Sequence, residues 1–176
     1  MKNILQKQNK VLRDKAKKIL VKDINTPKIQ NILKEMSASL RSQNDGVALA
    51  APQIGYSLQI FIVSGKIFHE AFKRGENLEN IPSNEVINDL VFINPKITKL
   101  SKEKEWVPEG CLSVRWLYGK TLRSKKASIE AYNEKGKKIR RGASQLLAQI
   151  FQHETDHLKG VLFIDHAEDI REELPK

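Results

Sequence analysis

A single cysteine stands in the 176 residues, so no internal disulfide can form and the chain has no covalent staple. A reducing, cytoplasmic setting agrees with that, and Cys111 has to be explained individually. No apolar run approaches the roughly 20 residues needed to cross a bilayer. The opening MKNILQKQNK lacks the apolar stretch and small-residue cleavage site of a secretory signal, so no membrane partner is expected. Repeats and low-complexity tracts are missing too. What is there, 40% hydrophobic and 30% charged residues, is the balance of a soluble globular chain, and its length suits one core rather than two. Residues 1–176 are read as a single domain.

Acidic residues are the minority, 21 against 31 basic, for a net charge of +10. The excess is uneven. Residues 1–45 carry eleven Lys or Arg against four Asp or Glu, while residues 161–176 carry two against five. A basic amino-terminal surface suits non-specific phosphate contacts, which leaves proximity to RNA or a ribosome open. Because no aromatics interleave with those lysines to stack on bases, a specific nucleic-acid ligand is not expected.

The first clear element is a helix over about 27–40. Thr26 is the candidate cap, Pro27 sits at the first helical position, and Ile29, Ile32, Leu33, Met36 and Leu40 follow at helical spacing. SQNDGVALAAPQIG after it is bounded by glycines and poor in large side chains, a close-approach segment rather than a packing element. Strand-like runs follow at Leu58–Val63, Val91–Leu100 with Pro95 marking an edge or bulge, Lys104–Val107 and Ala127–Tyr132. Asn133–Gly136 reads as a hairpin turn into Lys137–Arg141. Gly65–Leu90 is expected to be a flexible insertion.

A second helix is expected over about 144–159, closed by Gly160. Its apolar face is Leu146, Leu147, Ile150 and Phe151, and the same periodicity continues onto His153, Glu154, His157 and Leu158. Ionisable groups on a buried face must be paired or must bind something, since each unpartnered polar group there costs roughly 2–7 kcal/mol. His153-Glu154-Thr155-Asp156-His157 fits H-E-x-x-H. Residues four apart on a helix let two imidazoles converge on one ion. Glu154 lies beside that ion as a candidate proton carrier for water, whose pKa an ion lowers from near 16 to about 7.

Catalytic sites of this kind usually take a third protein ligand. A protease with a further His six residues after His157 does not fit, because Phe163 stands there, and only 19 residues remain for a distant Glu ligand. His69, His166 and Cys111 stay open. A lone cysteine is ordinarily a buried small hydrophobe, and spacing alone does not promote Cys111.

Its neighbours do. Glu109-Gly110-Cys111-Leu112-Ser113, with GVALAAPQ at Gly46–Gln53 and QHETDHLKG at Gln152–Gly160, resembles the three motifs of the peptide deformylases, in order, across about residues 27–165. The resemblance implies an α+β fold in which mixed and antiparallel strands surround a central metal-binding helix carrying HExxH, so that the one domain is catalytic. It implies Cys111, His153 and His157 as ligands of one divalent ion, Fe(II) by preference with Zn, Ni or Co able to substitute. Glu154 becomes the acid and base. Gln53, through its amide, and Leu112, through its backbone N–H, become donors to the oxyanion. Gly46, Val47, Ala48 and Gly110 would line a path for the peptide, with Arg123 at its entrance. The implied reaction is hydrolysis of the formyl group from N-formylmethionyl nascent peptides, releasing formate.

Three departures stand out. Ala48 replaces a second glycine of the first motif, and Val114-Arg115-Trp116 replaces a Pro-Gly step after the second. The tail AEDIREELPK is acidic where some members carry a basic helix. Two other classes remain as alternatives: a metallopeptidase cutting internal bonds, and a silent metal-binding or RNA-associated module.

Overall fold

In the computed structural model, residues 1–75 and 88–174 are described. The chain forms α1 (Pro27–Arg41), β1 (Ala48–Ala50), β2 (Ile60–Val63), α2 (Glu70–Lys73) and β3 (Leu90–Leu100). It continues through β4 (Lys104–Gly110), β5 (Leu117–Ser124), β6 (Lys126–Tyr132), β7 (Lys138–Ser144), α3 (Gln145–His157) and β8 (Glu168–Glu172). Two sheets result, one ordered β1-β2-β3-β6-β7 and the other β4-β5-β8. The expectation of mixed strands is corrected. All ladders among the described residues are antiparallel, and the one parallel contact is an isolated bridge between Lys17 and Leu58.

The larger sheet is covered on both faces, so β2 reads as four consecutive buried residues rather than an alternation. Phe61 and Val63 face α3, where Phe61 stacks on Phe92 at 4.7 Å and Phe92 meets Phe151 edge-on at 5.2 Å. Ile60 and Ile62 face α1, whose Ile29, Ile32, Leu33, Met36 and Leu40 are all buried as their spacing predicts. Thr26 does not cap α1 through its side chain; its hydroxyl donates to the Asp23 carbonyl instead. Pro95 falls at a bulge in β3, an interior strand, where the register with β6 shifts between Ile93 and Lys96. Next to it Asn94 adopts φ 50° and its amide both accepts from and donates to the Ile19 backbone.

The hairpin turn falls as expected. Gly136 takes φ 74° and β7 pairs with β6 from Lys138 to Ser144. Over the expected insertion, Gly65–Phe68 is a short 3-10 turn followed by α2; residues 76–87 lie outside the described residues. Gly160 ends the α3 region with φ +77°, and a side chain there would sit 2.4 Å from the Arg13 carbonyl oxygen. Only glycine meets both demands. No helix among the described residues is long and apolar enough to cross a membrane.

Candidate metal centre and cleft

Three stretches distant in sequence meet at one end of α3. Cys111 follows β4, His153 and His157 lie one turn apart on α3, and Gln53 sits in the 3-10 turn Ala51–Ile54 after β1. The Cys111 sulfur lies 3.2 Å from His157 Nε2, and the potential ligand atoms of Cys111, His153 and His157 are all within 4.8 Å of one another. His69 and His166 are not in that group. Glu154 is buried beside it with Oε2 unpartnered, and His157 Nδ1 is unpartnered as well. A thiol and two imidazoles with ligand atoms this close are a donor set that a small cation suits.

The surroundings act on the two imidazoles with opposite net results. Burial disfavours a charged His153, yet hydrogen bonds to Cys111 and Glu109 outweigh it and hold the ring well above its ordinary pKa. Burial, then the charge on His153, pushes His157 well below its own. Cys111, His153 and His157 form a group that could hold one metal ion.

Glu109 orients this arrangement. Its Oε1 is 2.6 Å from His153 Nδ1, which as the N–H side leaves Nε2 for the cluster. The carboxylate also accepts from the Thr121 hydroxyl at 2.5 Å and from Arg123 Nε and one terminal nitrogen at 3.0 and 2.7 Å. Burial opposes its charge, but the His153 and Arg123 hydrogen bonds more than offset that and keep the carboxyl far below the ordinary range. Arg123 donates its remaining arm to Asp156 at 2.7 Å. Asp156 therefore supports the histidine at second hand, through Arg123 and Glu109.

That geometry corrects one expectation. Arg123 has its side chain only 8% exposed and is spent on Glu109 and Asp156, so it stands behind the cluster rather than at a substrate entrance. The arginine that lines the cleft is Arg115. It holds Asp45 with two hydrogen bonds, reaches Gln43 at 3.1 Å, and lies over the Trp116 ring at 4.6 Å. The cleft itself, about 440 Å³, has Gly46, Val47 and Ala48 along one wall and Gly110, Leu112 and Trp116 along the other. His153, Glu154 and Gln53 line it too, with Leu146, Gln149 and Ile150 of α3. Leu146, expected in the core, is 38% exposed because it faces this space. A side chain at Gly110 would sit 2.7 Å from the Tyr118 ring.

Gln53 is almost fully buried with its amide fixed. Its Oε1 accepts from the Ala50 N–H at 2.8 Å and its Nε2 donates to the Ser113 hydroxyl at 3.1 Å, 3.6 Å from the Cys111 sulfur. Glu109, Arg115 and Trp116 were not singled out from the sequence as site residues. The only signal for Glu109 was its place two residues before the cysteine.

A Cys-His-His cluster, with His157 buried and the other two half-buried, beside a buried glutamate with one unpartnered oxygen and opening on a cleft, fits the class of metal-dependent hydrolases. The polypeptide deformylase family model matches residues 1–173, and the chain belongs to that family. It is 36% identical to peptide deformylase 2 of Clostridium acetobutylicum over 94% of both chains, and 38% identical to the Borreliella burgdorferi peptide deformylase over 92% of this chain and 84% of that one. Among solved structures it is similar to the Thermotoga maritima peptide deformylase, with a TM-score of 0.77 at 29% identity over 96% of this chain and 98% of that one. A Synechococcus elongatus peptide deformylase in complex with actinonin superposes with a TM-score of 0.75 at 32% identity, over 95% and 79% of the two chains. The family is metal-dependent, and its reaction is deformylation of N-formylmethionyl peptides.

Proposed function

We propose that this chain removes the formyl group from N-formylmethionyl nascent peptides, with chemistry centred on the cluster at the end of α3. The observation that carries this reading is the convergence of Cys111, His153 and His157 beside a buried Glu154 whose second oxygen has no partner. In this account α3 is the central, metal-bearing helix, gripped by the larger sheet and reached by β5. Fe(II) is the ion we assign, on the family resemblance alone; a thiolate with two imidazoles suits Zn, Ni and Co as well. When bound, the ion supplies Lewis-acid polarisation of the formyl oxygen and a lowered pKa for water.

The chain's own residues do the rest. Burial raises the Glu154 pKa to about 7, so the carboxyl takes a proton from attacking water and returns it to the leaving amine. The Gln53 amide and the Leu112 N–H are the donors to the oxyanion, each such donor typically worth about 3–4 kcal/mol. β1 and β4 are both edge strands, at opposite rims of the cleft. An extended peptide laid between them gains main-chain hydrogen bonds from Val47, Ala48 and Gly110. Val47, Leu146 and Ile150 offer the methionine side chain an apolar wall. The Ala48 methyl narrows that path relative to glycine. Action at the ribosome in the cytoplasm follows from this substrate, through a surface other than the acidic tail, which is folded as β8 against β5.

The test is formate release from formyl-Met-Ala-Ser by protein purified without oxygen, with elemental analysis alongside. Turnover of formyl-Met-Ala-Ser with little or none of acetyl-Met-Ala-Ser is expected. Equal rates on the two, or cleavage of an internal bond at the same rate, would remove this assignment.

A further inference from the structure

The first six residues carry no part of the three motifs, yet two consecutive ones touch both groups read above as oxyanion donors. The Leu5 N–H donates to the backbone carbonyl of Gln53 at 2.8 Å. The Gln6 amide spans the loop after Cys111: Nε2 donates to the Leu112 carbonyl at 3.0 Å, and Oε1 accepts from the Arg115 N–H at 3.3 Å. The Leu5 side chain packs, as do Cys111 and Leu117, against the small core of Leu12, Val114, Leu162 and Phe163. Further back the arm is tied to α1, where Lys2 exchanges two hydrogen bonds with the Ser39 hydroxyl at 2.9 and 2.8 Å.

We propose that Gln6 is a positioning residue for deformylation, holding the Leu112–Arg115 loop so that the Leu112 N–H keeps its aim beside Gln53. This rests on the reading of Gln53 and Leu112 as the oxyanion donors. A side-chain donor such as Gln53 is locked by its own bonds to Ala50 and Ser113, whereas a backbone donor is fixed only if its loop is. The loop's internal bonds, from Val114 N–H to the Cys111 carbonyl and from Leu117 N–H to the Val114 carbonyl, leave the Leu112 carbonyl and the Arg115 N–H for an outside partner. One primary amide supplies both a donor and an acceptor at the right reach. Apolar residues of the same size supply neither.

The experiment compares Gln6→Leu and Gln6→Glu with the unaltered protein and with Ser39→Ala, which removes the hydrogen bonds from Lys2 to α1 without touching either donor. Each is assayed metal-loaded for kcat and KM on formyl-Met-Ala-Ser, for bound metal, and for amide hydrogen exchange across residues 111–117. Both Gln6 variants should keep full metal while kcat falls about tenfold or more, within the 10²-fold that a misplacement of about 1 Å can cost. KM should stay within about twofold, the pattern of an interaction made only in the transition state. Exchange at Leu112 to Arg115 should quicken, and Ser39→Ala should behave as the unaltered protein. Gln6→Glu keeps the size and the acceptor, so it answers the question even if Gln6→Leu does not fold. A kcat within about twofold of the parent, a change confined to KM, a loss of metal, or an equal fall in Ser39→Ala would each overturn the proposal. Absence of formate release by the unaltered protein would instead bring down the functional reading itself.

Discussion

Glu109 accepts hydrogen bonds from His153, Thr121 and Arg123 at once, and its charge selects which histidine nitrogen is left for a metal. Glu109→Gln keeps the shape and loses that charge. A fall of about 10–100-fold in metal affinity is expected, the usual cost of losing such a partner. A competition titration against a chelator measures it, and unchanged affinity would show that His153 needs no such partner. Removing Arg123 leaves the buried Glu109 and the half-buried Asp156 without their shared cation, so Arg123→Ala should cost about 3–5 kcal/mol of stability in urea unfolding. Much of the site could be read from residues. Two histidines four apart on an apolar helical face and a cysteine promoted by its motif are the three residues that the fold brings together. Which arginine faces the cleft could not be read, because it depends on strand parity. Arg123 shares the inward face of β5 with Gly119 and Thr121, while Arg115 lies in the loop before that strand.

At the scale of elements, α1, α3, β3 and the β6–β7 hairpin were legible because their apolar periodicity matches one buried face or their turn residues are specific. β5 was not, since its buried positions include Thr121, Arg123 and Ser124 while Leu122 points outward at 44% exposure; the usual pattern is inverted by the polar network it serves. β8 is exposed throughout and carries no apolar signal. Between elements, Arg13 and Asp165 pair at 2.5 Å and join the amino-terminal 3-10 turn Lys10–Arg13 to the turn Phe163–Asp165 after α3. The Arg13 hydrogen bond, partly opposed by burial, holds Asp165 below its ordinary carboxyl pKa. A depressed folded-state pKa contributes stability above the unfolded value, about 3.9, and loses it as pH falls through the folded one. Asp165→Asn should therefore be less stable than the parent at neutral pH, by at most about 1 kcal/mol for so exposed a pair. The difference should shrink below about pH 4. A difference constant from neutral to acid pH would assign the effect to something other than that charge.

For the whole molecule, the proposed site couples ion and fold, because an ion bound only by the folded chain raises stability as its concentration exceeds the dissociation constant. Chelation should lower the melting temperature of the parent and leave that of Cys111→Ala unmoved. With Fe(II) bound against the Cys111 thiolate, activity should decay in air faster than in the zinc form, since thiolate and ion are both oxidisable. Equal decay would argue against that pairing. The central claim, that three side chains hold the metal and a fourth moves protons without holding it, rests on one side-by-side comparison. Bound metal and initial formate release from formyl-Met-Ala-Ser are measured on the parent, Glu154→Ala, His153→Ala and Cys111→Ala. Glu154→Ala should keep stoichiometric metal and lose at least about 100-fold in rate, the low end for a general acid and base, while His153→Ala and Cys111→Ala should lose the metal. A Cys111→Ala protein with full metal and near-normal turnover would contradict the account.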